Sequence, residues 1–388
     1  MKIAIATTGR FHLLDLAREL RALGHEVRLY SYIPRRRARR YGLPDECHVS
    51  LLPFVLFFLV WEKLAPRALS GLRECLFYKV VNWAVSVRLG PCDVFVCMSG
   101  IYLEAARRAK RDFHARIWLE RGSQHILAQD KILSAVHGAR RPSKLVISRE
   151  LDGYRIADRI VVPSGHAEKS FQLYDESLAR KIFRNPYGVE LGMFPAPKKE
   201  KSMEPMVILF AGTWCMRKGS DILVQAVNRV SNVRVVHVGA IDDYLFPQGD
   251  VQFEHVDPVP QIQLARFYAA ADIFVLPSRE DGLGLVLPQA LASGLPVICT
   301  DRTGGEDLAH SPALAARITV VASGDVEALE RALIMWRDRY RAGGWLPPLS
   351  ERDRAMLSWS NYALRYSVEL IKSIPRHEKS DALDLVNV

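Results

Sequence analysis

Twice in this chain a short apolar run breaks at a glycine turn and gives way to a helical pattern. The first run is Lys2–Ala6, followed by Thr7-Thr8-Gly9-Arg10 and a helical stretch over Leu13–Leu23. Gly24-His25 closes that stretch, and Glu26–Tyr32 reads as the next strand. The order restarts with a strand at Met206–Phe210, a glycine turn, a helix over Ser220–Arg229 and a strand at Val233–Val238. Buried strands alternating with helices are what a parallel sheet requires, because parallel neighbours need a crossover and carry helices on both faces. Further strands are expected at Asp93–Cys97, Ala115–Leu119, Arg159–Val162, Ile273–Leu276 and Val297–Cys299, with helices at Gln263–Ala271 and Pro288–Ala292. At 388 residues the chain exceeds one hydrophobic core. The expectation is therefore an α/β protein of two Rossmann-like domains, residues 1–192 and 200–350, joined through the Pro-, Gly- and Lys-rich segment Asn185–Lys201. The amphipathic stretch Ser358–Ile371 lies near the end, and the charged tail over 376–388 is expected to fray.

Charge divides the two halves. Residues 1–200 hold 34 Lys and Arg against 20 Asp and Glu, a balance of +14; the remainder holds 19 against 23, a balance of −4. The first half is thus expected to meet something anionic. Its basic residues lack interleaved aromatics and no nucleic-acid motif is present, so no nucleic-acid partner is expected, and a membrane surface or a phosphorylated acceptor fits better. Six cysteines without a CxxC pair, and an opening apolar run too short for a secretory signal, lead to an expected cytoplasmic location without disulfides. No His/Asp/Glu cluster has metal-ligand spacing, so neither a metal nor another cofactor is expected.

The segment Pro277–Ile298 carries the most chemistry. After the strand Ile273–Leu276 comes a loop with Gly282 and Gly284, where the backbone can approach a ligand without a Cβ in the way. Pro288 suits the first turn of the following helix, and Gly294 with Pro296 marks its end. Loop N–H groups and the helix dipole then converge where a phosphate binds well. Earlier, Phe210-Ala211-Gly212-Thr213 leaves a strand and Arg217-Lys218-Gly219 precedes a helix. In an open parallel sheet both loops lie at the carboxyl ends of strands, where ligands bind. Lys218 is placed to reach a diphosphate, with Arg217 as its fork-like partner.

These residues resemble the donor motif of the family 4 retaining glycosyltransferases. That motif has two glutamates separated by seven residues around a Gly-x-Gly loop, followed by Ala-Met-Ala-x-Gly-x-Pro. Here the frame reads Asp281-Gly282-Leu283-Gly284-Leu285-Val286-Leu287-Pro288-Gln289, then Ala290-Leu291-Ala292-Ser293-Gly294-Leu295-Pro296. Further matches are Asn185-Pro186-Tyr187-Gly188-Val189, Ala157-Asp158 with Val162-Pro163-Ser164, Thr300-Asp301 with Gly304-Gly305, and Trp359 with Tyr362 and Tyr366. The resemblance implies a GT-B fold, two Rossmann-like domains facing a cleft with the last helix (352–375) returning to the first domain. It also implies transfer of a sugar from a nucleotide-diphosphate donor with retention, the acceptor hydroxyl passing its proton to a departing phosphate oxygen. Three departures stand out: Asp281 for the first glutamate with Glu280 beside it, Gln289 for the second, and Thr213 for the arginine after the first glycine.

The resemblance makes residues 200–350 the donor domain, with Gly9, Thr213, Arg217, Lys218, Glu280, Gly282, Leu283, Gly284, Leu285 and Gln289 in contact with donor. His125, Asp281 and Lys218 are the expected catalytic residues. Residues 1–192 are the expected acceptor domain, with Arg10, His12 and Arg121 toward the acceptor; Arg121 is alternatively paired with Glu120, and His12 and His125 each have an alternative as a helix start or core histidine. Arg35–Arg40 precedes the uncharged run Leu51–Trp61, whose eleven residues are too few to span a bilayer. It reads either as a core strand beside a solvated loop or as a surface element dipping into anionic lipid. The second reading goes with a lipid-linked or envelope-glycolipid acceptor and a peripheral place on the inner membrane face. A module of this fold that binds nucleotide sugar but has lost activity is the rival, argued from Gln289 and Thr213.

Overall fold

Apolar runs four to six residues long become central strands buried on both sides, as Ile3–Ala6 and Ile273–Leu276 illustrate. The computed structural model describes residues 1–9, 11–64, 69–195 and 205–373. Seven strands form the first sheet: β1 (Lys2–Ala6), β2 (Glu26–Ser31), β3 (His48–Ser50), β4 (Val94–Met98), β5 (Arg116–Glu120), β6 (Arg159–Val162) and β7 (Ile182–Arg184). Their order is β3-β2-β1-β4-β5-β6-β7. Six form the second: β8 (Met206–Ala211), β9 (Val233–Val238), β10 (Phe253–Val256), β11 (Ile273–Leu276), β12 (Val297–Thr300) and β13 (Ile318–Val321), in the order β10-β9-β8-β11-β12-β13. Every pairing is parallel, with Ile3 opposite both Val27 and Val94, and Ile208 opposite both Val235 and Ile273. Both sheets begin in the middle and reverse direction between β1 and β4 and between β8 and β11. That reversal opens a crevice at the strand ends, where the loops after β1, β8 and β11 emerge.

The last helix, Trp359–Lys372, returns to the first sheet and packs on the helix His12–Ala22. It buries Trp359, Tyr362, Tyr366 and Leu370, each contributing about 1.5–3 kcal/mol through loss of apolar surface. Polar bonds fix its register: His25 Nε2 lies 2.8 Å from Ser367 Oγ, and Arg365 Nε donates to Asn185 Oδ1 at 2.7 Å. The crossing segments also pair directly, with Val189 N donating to the Leu357 carbonyl at 2.8 Å. A Cβ on Gly188 would meet the Ser358 carbonyl at 2.6 Å, which accounts for glycine within Asn185–Val189.

The run Leu51–Trp61 is not the core strand that one sequence reading offered. It lies in a helix, Leu52–Leu64, because thirteen residues without a turn signal satisfy their backbone best internally. Val55 and Phe58 face the core, while Leu56, Phe57, Val60 and Leu64 share the opposite face, Phe57 at 86 % and Leu64 at 79 % exposure. The partner helix Ser70–Arg88 exposes Leu72, Trp83 and Val87, and Trp83 meets Phe54 edge-on at 5.7 Å. Arg35–Arg40 is likewise helical rather than a loop, with its five arginines exposed and Ala38 buried. No helix among the described residues is long and apolar enough to cross a membrane.

Candidate active site in the interdomain cleft

Gly219 sits at φ 74°, a left-handed conformation that ends the turn after β8. A Cβ there would collide with the Pro277 carbonyl, so glycine lets the turn Gly212–Gly219 lie against the loop after β11. Two cations of the first turn meet two acids of the second. Lys218 Nζ is paired with the Asp281 carboxylate, the side chains 16 % and 15 % exposed. Arg217 donates to the Glu280 carbonyl at 3.0 Å and lies 3.5 Å from its carboxylate. Below them Arg279 binds Asp221 with both guanidinium nitrogens, at 2.5 and 2.6 Å, which fixes the helix Ser220–Val227 to the loop. Thr213 is half-buried in the first turn. The carbonyl of Gly212 accepts from His237 Nε2 at 2.9 Å, a tie between residues twenty-five apart that no local pattern signals.

The helix after the loop is Val286–Ala292. Leu285 caps it and is 37 % exposed, whereas Leu283 is buried. Gln289 is buried too, its Oε1 accepting from Tyr268 Oη at 3.1 Å. Gln289 is therefore engaged with Tyr268 and is not paired with the Lys218–Asp281 cluster.

The first domain closes over the same loop. Ser123 donates to the Glu280 carboxylate, and Gln129 Nε2 adds a bond at 3.3 Å. Ser164 Oγ donates to the Gly282 carbonyl at 2.6 Å, and His166 Nε2 donates to the Asp281 carbonyl at 2.6 Å. A Cβ on Gly282 would land on the Gly122 carbonyl. The close approach expected at Gly282 is thus made by the partner domain's backbone. Gly284 is packed against Leu276, Asp281 and Val286. Of these contacts Ser164 lay in a matched segment, while Ser123, Gln129 and His166 were missed because each bond crosses more than a hundred residues of sequence.

On the first-domain side the structure gives Arg121 and His12 partners within the fold. Arg121 pairs with Glu150 at 3.1 Å, not with Glu120, and gives its remaining nitrogens to the Gln124 carbonyl and Gln129 Oε1. With a partner on every nitrogen and the residue 9 % exposed, it is tied into the fold. His12 is also buried: its Nε2 lies 2.9 Å from Glu120 Oε2 and its ring packs 4.5 Å from Tyr187. It begins the helix His12–Ala22, and Glu120 takes the partner that Arg121 declined. Arg10 lies outside the described residues. Gly9 has room for a Cβ, with only Phe11 within 4.0 Å.

His125 caps the helix Ile126–Ser134, its Nδ1 accepting from Leu127 N at 3.3 Å. The ring stacks on Tyr174 at 5.3 Å and is flanked by Tyr154 and Phe171. Burial, reinforced by the Arg121 charge, lowers its pKa to about 4, so the ring is neutral at pH 7. Because Nδ1 is an acceptor, the proton resides on Nε2. This histidine offers one N–H donor and no ready acid.

Comparison with known proteins agrees with this geometry. The sequence model "Glycosyl transferases group 1" matches residues 205–337. The D-inositol 3-phosphate glycosyltransferase 2 of Catenulispora acidiphila is 31 % identical over 347 residues, covering 81 % of this chain and 78 % of that one. Sucrose-phosphate synthase from Thermosynechococcus elongatus superposes with a TM-score of 0.69 at 19 % identity, over 96 % of this chain and 98 % of the other. Anabaena Alr3699/HepE in complex with UDP-glucose superposes with a TM-score of 0.62 at 13 % identity, over 96 % and 100 %. With paired doubly wound sheets, a returning helix and a relative of this extent, the chain belongs to the group 1 glycosyltransferases, the family 4 nucleotide-sugar-dependent transferases of GT-B fold.

Proposed function

We propose that this enzyme transfers a hexosyl group from a UDP-sugar to an acceptor hydroxyl with retention, and that the acceptor is a lipid-linked or envelope-glycolipid precursor. The observation that carries the donor half is the Lys218–Asp281 pair, held at the edge of solvent between the β8 and β11 loops and within reach of both domains. A diphosphate entering there exchanges one carboxylate for two phosphates around Lys218 and Arg217. Asp281, released from Lys218, turns to the sugar hydroxyls, and Glu280 stays with Ser123 and Gln129 to keep the loop in place. Backbone at Gly9, Thr213, Gly282, Leu283, Gly284 and Leu285 lines the donor, Gln289 serves the ribose, and His125 Nε2–H donates to the transferred sugar. The choice of uracil follows the UDP and UDP-glucose complexes of the HepE neighbour.

The chemical step breaks the bond from anomeric carbon to diphosphate while the acceptor oxygen bonds to the same face. The acceptor proton passes to the departing phosphate oxygen, so no separate base is required. Lys218 and Arg217 stabilise the charge that develops on the leaving group, where preorganised cations act most strongly. Closure through Ser164 and His166 limits water, which competes as acceptor.

The acceptor half rests on the exposed apolar face of Leu52–Leu64 and the neighbouring arginine helix, a combination suited to the anionic inner face of a membrane. Incubation with UDP-, GDP- and ADP-sugars tests the donor: nucleoside diphosphate release is expected with the UDP-sugar. Binding without release from any of the three would make the chain an inactive module instead. Sedimentation with anionic vesicles, weakening as salt rises, tests the surface, and equal sedimentation with neutral vesicles would remove it.

A further inference from the structure

The loop after β11 is anchored in two ways along its length. Up to Arg279 its ties lie within the second domain. Arg279 N donates to the Arg217 carbonyl at 2.9 Å, and its guanidinium holds the Met216 carbonyl and Asp221. At Glu280 the anchoring changes hands: Arg217 holds its carbonyl, while Ser123 and Gln129 of the first domain hold its carboxylate. Beyond it the Asp281 and Gly282 carbonyls are taken by His166 and Ser164. The Asp281 peptide is thereby clasped on both sides, its N–H by the Arg302 carbonyl at 3.1 Å and its C=O by His166 at 2.6 Å. That clasp lets the carboxylate, paired with Lys218, change partner without moving the backbone.

The facing surfaces are shaped for this approach. Gly304 stands at φ 72°, and a Cβ there would meet Ser164 Cβ at 2.6 Å and the Gly282 carbonyl at 2.9 Å. Asp307 accepts from Gly165 N at 2.9 Å and pairs with Arg184 at 3.3 Å, which seats the start of the helix Gly165–Tyr174 against the second domain. Burial pushes the His166 pKa below its ordinary value, against the pull of the Asp281 carbonyl and of the Asp307, Asp281 and Glu280 charges. The ring is therefore neutral at pH 7, with its proton on Nε2 toward the Asp281 carbonyl. Ser164 Oγ lies 3.0 Å from the other ring nitrogen and 2.6 Å from the Gly282 carbonyl. Its one proton serves either acceptor, so the hydroxyl keeps a partner whether the domains meet or part.

We propose that His166 and Ser164 are positioning residues for Asp281, fixing its peptide when the cleft closes, whereas the cations for the diphosphate are set within the second domain and do not wait for closure. The proposal rests on the transfer reading above and makes diphosphate binding and sugar transfer separable by mutation. UDP meets a site already built. The sugar-facing carboxylate is placed only when the first domain arrives.

Calorimetry with UDP and turnover of UDP-glucose separate the two parts. His166→Ala is expected to bind UDP within about twofold of the wild-type protein and to lose about tenfold in kcat, as removal of one well-formed hydrogen bond implies. His166→Gln, whose side-chain amide offers an N–H to the same carbonyl, restores most of kcat, which a general loss of fold would not allow. Arg279→Lys gives the converse: it keeps the charge, loses the two-pronged bond to Asp221, and weakens UDP binding by about fivefold. Amide hydrogen exchange in the free protein reads the same partition without turnover. His166→Ala speeds exchange of the Asp281 N–H by about tenfold and leaves the Arg279 N–H unchanged. A UDP affinity that falls along with kcat in His166→Ala, an undiminished kcat, or equal acceleration of both amides would overturn the proposal. If the two amides respond as expected while neither UDP-glucose nor any other nucleotide sugar is turned over, the clasp stands and the transfer reading falls.

Discussion

The two sides of the cleft use ion pairs differently. On the first-domain side the Arg121–Glu150 ion pair and the His12–Glu120 hydrogen bond are buried, with Glu120 and Glu150 side chains 1 % and 5 % exposed. On the second-domain side the Lys218 and Asp281 side chains are 16 % and 15 % exposed, and Arg217, at 35 %, faces a Glu280 side chain that is 1 % exposed. A buried pair is costly to break because the remaining charge has no water to replace its partner. A pair at the solvent boundary exchanges partners cheaply, since each member is rehydrated or taken up by another ion. The first side is thus built to hold shape and the second, on the proposed reading, to trade a carboxylate for a phosphate.

The largest test removes Arg121. Arg121→Met strands the Glu150 carboxylate and is expected to cost about 3–5 kcal/mol of stability in equilibrium denaturation. A loss below about 1 kcal/mol would mean the first-domain pairs are as exchangeable as surface pairs. Next comes Lys218→Ala, expected to slow turnover by about 10²–10³, read as nucleoside diphosphate release, through lost leaving-group stabilisation. Its stability change should stay within about 1 kcal/mol, and a collapse like that of Arg121→Met would erase the contrast.

Acid should act through buried histidines on both sides. His25, His125 and His237 are each pushed down to about 4, mainly by burial. Between their ordinary value near 6.5 and about 4 the unfolded chain takes up protons that the folded chain refuses. Stability therefore falls as pH drops through that window and is flat in these groups above it. A melting temperature unchanged from pH 7 to pH 4.5 would contradict their burial. The smallest effect is expected of Tyr268→Phe, which frees Gln289 at a cost of about 1 kcal/mol and raises the donor KM more than it lowers kcat. An unchanged KM would take Gln289 out of the ribose contact.

Much of the architecture was legible because central parallel strands and their helices announce themselves over a few residues. Lys2–Ala6 and Val233–Val238 emerged with the bounds read from sequence, and other strands shifted by a residue, as β4 and β5 did. The Arg217-Lys218-Gly219 turn and the Asp281–Gln289 frame were also visible, since loops at strand ends carry their chemistry in neighbouring residues. Leu51–Trp61 was harder. An unbroken apolar run has no period, so it does not say whether strand or helix buries it or which face stays outside.

The sequence by itself determined two doubly wound sheets and the residue types gathered at the donor loop, because backbone propensity and hydrophobic period act locally. Tertiary structure decided the partners: Arg121 with Glu150, His12 with Glu120, and Gly282 against Gly122. Those choices join elements distant in sequence. They depend on how closely two sheets approach, and that distance is set by packing of the whole chain and by no single stretch of it.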